Sequence, residues 1–278
     1  MHTRPVSRRE FVLSSAGLAL APALLAQGSS LTAQVIADRI RTNAGAPPRA
    51  NTVDGIKAGD PLTVITGIAT TVVVTMDVLR RAAAAKQNFI VAHEPTFYGA
   101  NDDPGARATD PVYLAKKKLI DDHRLVIYRF YEQWNARTPN EAVRALGAAL
   151  EWQLPTTLGN LAAQARTNLG AKGGIRIVGL PSLSVRRIAW LPGTTTVAQT
   201  MEAFKQADVV IAGEPREWEA VPYTYDMVTA GGAKGMIVLG RVLSEGPSMK
   251  AAAAWIKSLV PEVPVEALAT PDPYWSAR

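Results

Sequence analysis

The sequence predicts an α/β protein made of two duplicated α/β repeats with mixed sheets. Strand and helix patterns alternate along the chain, which favours sheets covered by helices. Residues 89–95 and 209–215 both have an apolar strand pattern that ends in Glu-Pro, and they lie 120 residues apart. The elements around these segments recur in the same order, so we assign a first repeat to about residues 31–150 and a second to about residues 175–278. We expect the strand ends of the two repeats to face each other.

The first 26 residues are predicted to be an export signal and not part of the fold. Arg8 and Arg9 precede Glu10 and an apolar run that ends at Ala26. This run is too short for a permanent membrane span, and an arginine pair before such a run is typical of twin-arginine signals. We therefore expect residues 27–278 to form the folded domain of a periplasmic or otherwise exported protein.

Composition narrows the classes of function. The chain has 278 residues and is 47% hydrophobic, which is enough for a large core. Loss of the export signal leaves 27 Lys and Arg against 23 Asp and Glu, so the net charge falls from +6 to +4. Because the basic residues are scattered, nucleic-acid binding is not indicated, and no later apolar stretch is long enough to span a membrane. Cysteine is absent, so any metal needs His, Asp or Glu ligands.

The first repeat is predicted to begin with a helix over residues 31–41, where the apolar residues have helical spacing. Residues 51–61 are rich in turn formers, and residues 62–76 are dense in Val, Ile and Thr, which predicts one long strand or two short ones. Asp77 is expected to cap a helix that runs through residue 85. The remaining predictions are a strand at 89–92, a loop at 99–110, a helix whose Lys116, Lys117 and Lys118 form a solvated face, a strand at 125–130 and a helix at 140–150.

The second repeat is predicted from the same kinds of pattern. A short helix and turn over residues 159–174 connects the two halves. The strand at 208–215 matches the strand at 89–95 of the first half, and Arg241 to Glu245 follow a strand in the place that Tyr131 to Asn135 hold there. The other predicted elements are strands at 187–191, 235–240 and 263–268 and helices at about 196–206, 218–230 and 249–259.

His93 and Glu94 are the first candidates for chemistry, because they follow a buried strand and ligands bind outside the carboxyl ends of strands in α/β sheets. A histidine hydrogen-bonded in a loop is the alternative for such a pair. Other carboxylates at strand ends are Glu132, Glu214 and Glu245. The sequence has no Gly-x-Ser-x-Gly elbow, P-loop or dinucleotide fingerprint. His123, the other histidine after the export signal, is expected at the surface end of a helix.

In this order and spacing, several segments resemble the NGG-interacting-factor-three-like family of dinuclear-metal hexameric proteins, also labelled GTP cyclohydrolase type II-like. The resemblance covers nearly everything after the export signal. It implies two intertwined α/β repeats, a toroidal homohexamer and metal ions held by histidines and carboxylates from both halves. The segments that carry it are residues 52–61, 91–98, 128–130, 211–214 with 217–219, and 240–245.

The resemblance implies a metal site that includes His93, Glu94 and Glu245. His93 stands in the metal-binding His position of the family, Glu94 where many members have a second His, and Glu245 in the carboxylate position of the second half. Glu132 lies where close relatives have His-Asp-His and is the strong ligand left there. Arg241 replaces a ligating His, and a guanidinium cannot bind a cation. We therefore expect one divalent cation or none, rather than two.

Two hypotheses follow from these residues. In the first, the protein is a metal-dependent hydrolase in which one ion at His93, Glu94 and Glu245 polarises a substrate oxygen or activates water, with Glu132 or Glu214 as general base. In the second, it is a non-catalytic oligomeric binding protein whose metal site is degraded. Arg241 would then neutralise Glu94 or Glu245 through a bidentate pair.

Overall fold

A computed structural model describes residues 31–275, which form three sheets with helices between and around them. The predicted export signal, residues 1–26, lies outside the described residues. The strands are β1 (Gly55–Ala58), β2 (Ile68–Thr71), β3 (Phe89–Ala92), β4 (Val126–Arg129), β5 (Thr156–Thr157), β6 (Arg176–Val178), β7 (Ser184–Val185), β8 (Ile188–Thr195), β9 (Val209–Pro215), β10 (Gly235–Val238) and β11 (Val265–Ala267). The helices are α1 (Ala33–Asn43), α2 (Met76–Ala84), α3 (Pro111–Asp122), α4 (Glu132–Asn135), α5 (Glu141–Leu150), α6 (Leu158–Asn168), α7 (Val197–Phe204), α8 (Ala220–Thr229) and α9 (Arg241–Leu259).

The two larger sheets share a four-stranded topology, to which the first sheet adds β11. The first has the order β1-β4-β3-β2-β11, with β1 antiparallel to β4 and the other pairs parallel. The second has the order β6-β10-β9-β8, with β6 antiparallel to β10 and the other pairs parallel. Ile68 pairs with Phe89 in the first sheet and Ile188 with Val209 in the second, which keeps the 120-residue offset in the register. The predicted α/β class with mixed sheets and a duplicated plan is confirmed.

The two halves are intertwined because each gives elements to the sheet of the other. Helix α5, from the first half, packs Leu146 and Leu150 into the core of the second sheet. Helix α9 leaves the second sheet after β10 and buries Met249 and Ile256 in the core of the first sheet. It leads to β11, which pairs with β2. Each of the two larger sheets therefore has a core to which a helix from the other half contributes.

Several predicted boundaries were wrong for local reasons. The segment at 51–61 was predicted as turns only, but it contains β1, which pairs with β4 across a bulge. Helix α2 is capped by the hydroxyl of Thr75, which accepts from the Val78 N–H, so Asp77 lies in the first turn. Helix α9 begins at Arg241, eight residues before the predicted start, and includes Pro247. Arg241 and Glu245 are therefore helical residues one turn apart.

The solvated lysine face was only partly correct. Lys117 and Lys118 are exposed and pair with Asp121 and Asp122 one turn later. Lys116 is 1% exposed, and its ammonium donates to the carbonyl oxygen of Thr96. Burial lowers the pKa of Lys116 to about 8, against the opposing charge of Asp102. Lys116 therefore fixes the chain just after the His93-Glu94 motif. His123 caps the end of α3 and is exposed, as expected.

Among the described residues, no helix combines the length and the apolar character that crossing a membrane requires.

Asp54 lies in the segment at 52–61 and holds the start of α4. Its carboxylate accepts from three consecutive backbone N–H groups, with Tyr131 at 2.7 Å and Glu132 and Gln133 at 2.9 Å. These are N–H groups at the start of α4, which have no partner within that helix. Asp54 thus fixes the turn that leads from β4 to Asn135.

We expect Asp54→Ala to lower the free energy of unfolding by about 2–4 kcal/mol, because it removes a charged acceptor shared by three N–H groups. Urea denaturation followed by circular dichroism measures this loss. Asp60→Ala is the matched control, since the side chain of Asp60 accepts from one backbone N–H, that of Leu62, in an exposed turn; its expected cost is below about 1 kcal/mol. Equal losses in the two variants would contradict the role of Asp54.

Candidate metal centre

The candidate site lies where the two halves meet at the carboxyl ends of their parallel strands. His93 and Glu94 directly follow β3, and their N–H groups donate to Thr71 and Val72 at the end of β2. Arg241 and Glu245 lie in the first turns of α9, on the same side because they are four residues apart. Gly240 is the residue just before this helix. Its φ of +83° allows the chain to turn sharply from β10 into α9.

His93, Glu94 and Glu245 form a buried group. His93 Nδ1 lies 2.9 Å from Glu94 Oε1 and 3.1 Å from Glu245 Oε2. One potential ligand atom from each residue lies within 4.8 Å of the others. The side chains of His93 and Glu245 are 1% and 4% exposed. The expected proximity of His93 and Glu245, which are far apart in sequence, is therefore confirmed.

Arg241 lies among three carboxylates and contacts each of them. Its Nη1 is 3.5 Å from Glu94 Oε1 and 3.5 Å from Glu245 Oε1. Its Nε is 3.0 Å from Glu214 Oε2. The expected bidentate pair with Glu94 or Glu245 was wrong, because the guanidinium spreads single contacts over residues of both halves. It partly compensates the buried acids without saturating them.

The charges in this cluster shift each other's pKa. Burial lowers the pKa of His93, but the negative charges of Glu245 and Glu94 outweigh burial and raise it to about 9. Burial raises the pKa of Glu94, and the hydrogen bond and charge of His93, with smaller effects of Arg241 and Arg129, lower it below its ordinary value overall. Metal-free protein therefore holds a protonated His93 at neutral pH.

The other predicted site residues lie apart from this group. Glu132 is the first residue of α4. Its Oε1 is 3.9 Å from Arg49 Nη1, which is a long distance for an ion pair. Its Oε2 is buried and has no hydrogen-bond partner among residues 31–275. Glu214 forms an ion pair with Arg241, and its side chain is 60% exposed. Glu132 does not join the three clustered ligand candidates.

Two residues that sequence reasoning missed shape the site. Asn135 faces His93 Nε2, with Oδ1 at 3.4 Å and Nδ2 at 3.1 Å, so it can accept from or donate to that nitrogen. Gly193, in β8, has φ +71°, and a Cβ there would overlap Glu245 Oε1 and lie 3.2 Å from Arg241 Nη1. The pair Pro192-Gly193 directly follows the strand predicted at 187–191, and this position was a usable sequence signal for Gly193. Nothing in the sequence singled out Asn135, because its role depends on the turn set by Asp54.

The residues present fit one divalent cation. Imidazole nitrogen and carboxylate oxygen suit zinc, iron or manganese. The separations of 2.9 and 3.1 Å from His93 Nδ1 to the two carboxylates are close to the spacing of about 3.0–3.4 Å between ligand atoms that share one ion. Glu245 Oε2 accepts no hydrogen bond from any residue in the described chain. Asn135 Oδ1 offers the acceptor that a ligating histidine needs on its other nitrogen.

Arg241 places a fixed positive charge beside the candidate ligands. Its positive charge is 3.5 Å from both Glu94 and Glu245 and would repel a second cation placed beside them. The guanidinium has no lone pair to offer as a ligand.

Comparison with solved structures defines the class of fold. The hypothetical protein SA1388 from Staphylococcus aureus matches with a TM-score of 0.70 at 14% identity, over 89% of this chain and 99% of its own. A Bacillus cereus protein related to NIF3 gives 0.69 at 15% identity, over 87% and 97%. Reduced HcgD from Methanocaldococcus jannaschii gives 0.64 at 14% identity, over 86% and 98%. The chain therefore has a NIF3-like fold, as its sequence predicted.

No protein-family model matches this sequence, and no curated protein matches it significantly. The solved structures with this fold include several without an assigned function, among them SA1388 and a ybgI protein whose function is given as unknown.

We expect Gly193→Ala to destabilise the protein by about 1–3 kcal/mol, because the methyl group collides with Glu245 and the backbone is left-handed there. Thermal and urea unfolding measure this cost. Gly147→Ala, in α5, is the matched control, since a Cβ there meets nothing within 4 Å; helix propensity predicts a gain of up to about 1 kcal/mol. Gly193→Ala with unchanged stability would contradict the close contact with Glu245.

Proposed function

We propose that this protein is a metal-dependent hydrolase that binds one divalent cation through His93, Glu94 and Glu245. One observation carries the proposal: the buried imidazole of His93, the buried carboxylate of Glu245 and the partly buried carboxylate of Glu94 converge within 4.8 Å, and Glu245 Oε2 has no hydrogen bond in the described chain. In metal-free protein, His93 and Arg241 offset the charge of these acids. A bound cation would take over this role from the proton on His93.

Lewis acidity and a water of lowered pKa are the chemistry that a divalent cation supplies in such a site. The protein's own residues would do the rest. His93 is held by Asn135, so its ring is fixed relative to Glu245. Arg241 would orient and neutralise negative charge on the substrate. Glu214 is the carboxylate at the accessible side of Arg241, and we assign it the role of general base in preference to Glu132.

We also propose that the mature protein acts in the periplasm or outside the cell as a homo-oligomer. Export is supported by Arg8, Arg9 and the apolar run after them. A hexamer is supported by the resemblance of the sequence to hexameric proteins of the family.

Metal-free protein should take up about one equivalent of Zn²⁺ or Mn²⁺, and affinity should rise with pH. The ion has to displace the proton on His93, whose pKa is about 9, so affinity should increase about tenfold per pH unit between about pH 6.5 and about pH 8.5 and level off above the pKa. Isothermal titration calorimetry and elemental analysis measure affinity and stoichiometry.

Matched variants make the same titration specific to the site. Glu245→Gln should weaken binding by at least about tenfold, because it removes a charged ligand. Glu202→Gln should leave binding unchanged, since Glu202 is an exposed partner of Lys205. Uptake below about a tenth of an equivalent of zinc, manganese, iron and calcium at about pH 8.5 would end the metal proposal.

A second candidate function is a non-catalytic binding protein in which Arg241 replaces the ion. The contacts of Arg241 with Glu94, Glu214 and Glu245 favour it, because they already offset part of the acidic charge. In this case the wild-type chain would bind no metal with useful affinity, and the degraded site would regain it when a ligand is restored.

Arg241→His tests the second candidate, with Arg241→Gln as control. Both changes remove a positive charge beside the acids, so both should strengthen metal binding electrostatically. Only Arg241→His adds a ligand, and we expect it to bind metal at least about tenfold more tightly than Arg241→Gln does. Calorimetry at matched pH gives both constants. Identical affinities in the two variants would contradict a site lost by substitution of a ligand.

A further inference from the structure

A small pocket lies beside the candidate metal centre on the side of Arg241. It has a volume of about 210 Å³ and is bounded by the end of β8 and the first turns of α5 and α7. At about 30 Å³ per water molecule it has room for about seven waters, or for a single-ring molecule. Its walls include two aromatic side chains, Tyr131 and Trp190. Trp190 is itself supported by stacking on Trp152 at 5.3 Å.

Hydrogen-bond donors converge on this pocket. Asn140 uses its Oδ1 to cap the Val143 N–H of α5, which leaves its amide N–H₂ without a partner in residues 31–275. Gln199 uses its Oε1 to accept from Thr196, so its amide N–H₂ is also without a partner in residues 31–275. Both side chains line the pocket. Because their acceptor atoms are occupied, the groups they can offer a ligand are donors.

Arg241 adds a charged donor to the same wall. Its Nη1 faces Glu94 and Glu245, and its Nε faces Glu214. The hydrogen bond that Arg241 makes in the described chain runs from Nη1 to Glu245 Oε1, at 3.5 Å. The side chain is 22% exposed and lines the pocket, so a solute can reach part of the guanidinium. Arginine binds carboxylates and phosphates through two parallel N–H groups, an arrangement that none of its present contacts provides.

Glu214 is a weakly held neighbour of Arg241. Its contact with Arg241 Nε is 3.0 Å long but is not aligned as a hydrogen bond, and its side chain is 60% exposed. Ion pairs with an exposed partner contribute about 0–1 kcal/mol. Turning Glu214 into solvent therefore costs little. An incoming carboxylate that replaces it leaves the net charge around Arg241 unchanged, and a phosphate dianion adds one negative charge.

We propose that this pocket binds a small organic anion whose carboxylate or phosphate group displaces Glu214 from Arg241, while Asn140 and Gln199 donate to it. The ring or chain of the anion would lie between Tyr131 and Trp190. This inference deepens the proposed function by assigning the substrate class of the same site. The exchange also releases the carboxylate of Glu214, the group assigned as general base.

The test is a titration of chelator-treated, metal-free protein with benzoate and with phenyl phosphate, followed by quenching of tryptophan fluorescence and by saturation-transfer NMR. Benzoate offers a planar carboxylate and phenyl phosphate a tetrahedral dianion, so the two probes distinguish the sources of the shared anionic chemistry. We expect dissociation constants below about 10 mM for at least one probe. Trp190→Phe should abolish most of the quenching while the NMR signal remains.

Variants decide whether binding uses the proposed contacts. Glu214→Gln should tighten binding by about threefold to tenfold, because the competing carboxylate loses its charge. Arg241→Gln should weaken binding at least about tenfold, and Arg241→Lys should lie between, since it keeps the charge but not the planar pair of donors. Glu202→Gln is the matched control and should change nothing. Two results would overturn the proposal. One is that neither probe binds to wild type or to Glu214→Gln, and the other is that Arg241→Gln binds the probes as tightly as wild type does.

The outcome separates this inference from the proposed function. Because the titration needs no ion, anion binding that persists in a protein without metal uptake would retain the pocket and remove the hydrolase. Metal uptake with no anion binding to any variant would retain the ion site and overturn the anion pocket.

Discussion

Compensation of buried negative charge is the constraint on which this part of the fold depends. Two carboxylates, Glu94 and Glu245, reach the same buried place from different halves of the chain, and burial without partners would destabilise the native state. His93 and Arg241 supply the positive charge, at distances of 2.9 to 3.5 Å. The contact of β3 with the start of α9 therefore depends on electrostatics as well as on apolar packing.

Residues outside the charged group hold its side chains in place. Asp54 fixes the turn at the start of α4, and that turn places Asn135 against His93. Gly193 has no side chain, and only this absence lets β8 pass close to Glu245. Lys116 fixes the segment after Glu94 by donating to the Thr96 carbonyl oxygen. Each of these residues acts on the geometry of the site from outside the group that could bind an ion.

Arg241 gives the site two different faces. Toward the interior its guanidinium stands beside two carboxylates, where its charge would disfavour a second ion. Toward the pocket it presents an edge that Glu214 covers only loosely. One substitution relative to the resembled family pattern would thus reduce the ion count and provide a group that attracts anions. Both consequences follow from the same physical fact, that a guanidinium is a permanent cation with donors and no lone pair.

Patterns in the sequence were enough to predict the α/β class, the 120-residue duplication and the position of His93 and Glu94 at a strand end. These features depend on local hydrophobic pattern and on recurrence along the chain. The sequence also marked Glu245 and Arg241 as residues to examine through the family resemblance. It did not indicate β1, whose residues look like turn formers until β4 is beside them, nor the burial of Lys116, which depends on a carbonyl oxygen 20 residues away.

Long-range packing selects the strand-end acids that share a site. Glu132, Glu214 and Glu245 all follow predicted strands, and the family resemblance pointed to Glu245 as a ligand with His93 and Glu94. Of these three acids, Glu245 alone joins His93 and Glu94 in the described chain. The physical reason is that α9 begins at Arg241 and crosses from one sheet to the other, which turns residues four apart toward the end of β3. Distances between side chains that are about 150 residues apart follow from such long-range packing and not from local propensity.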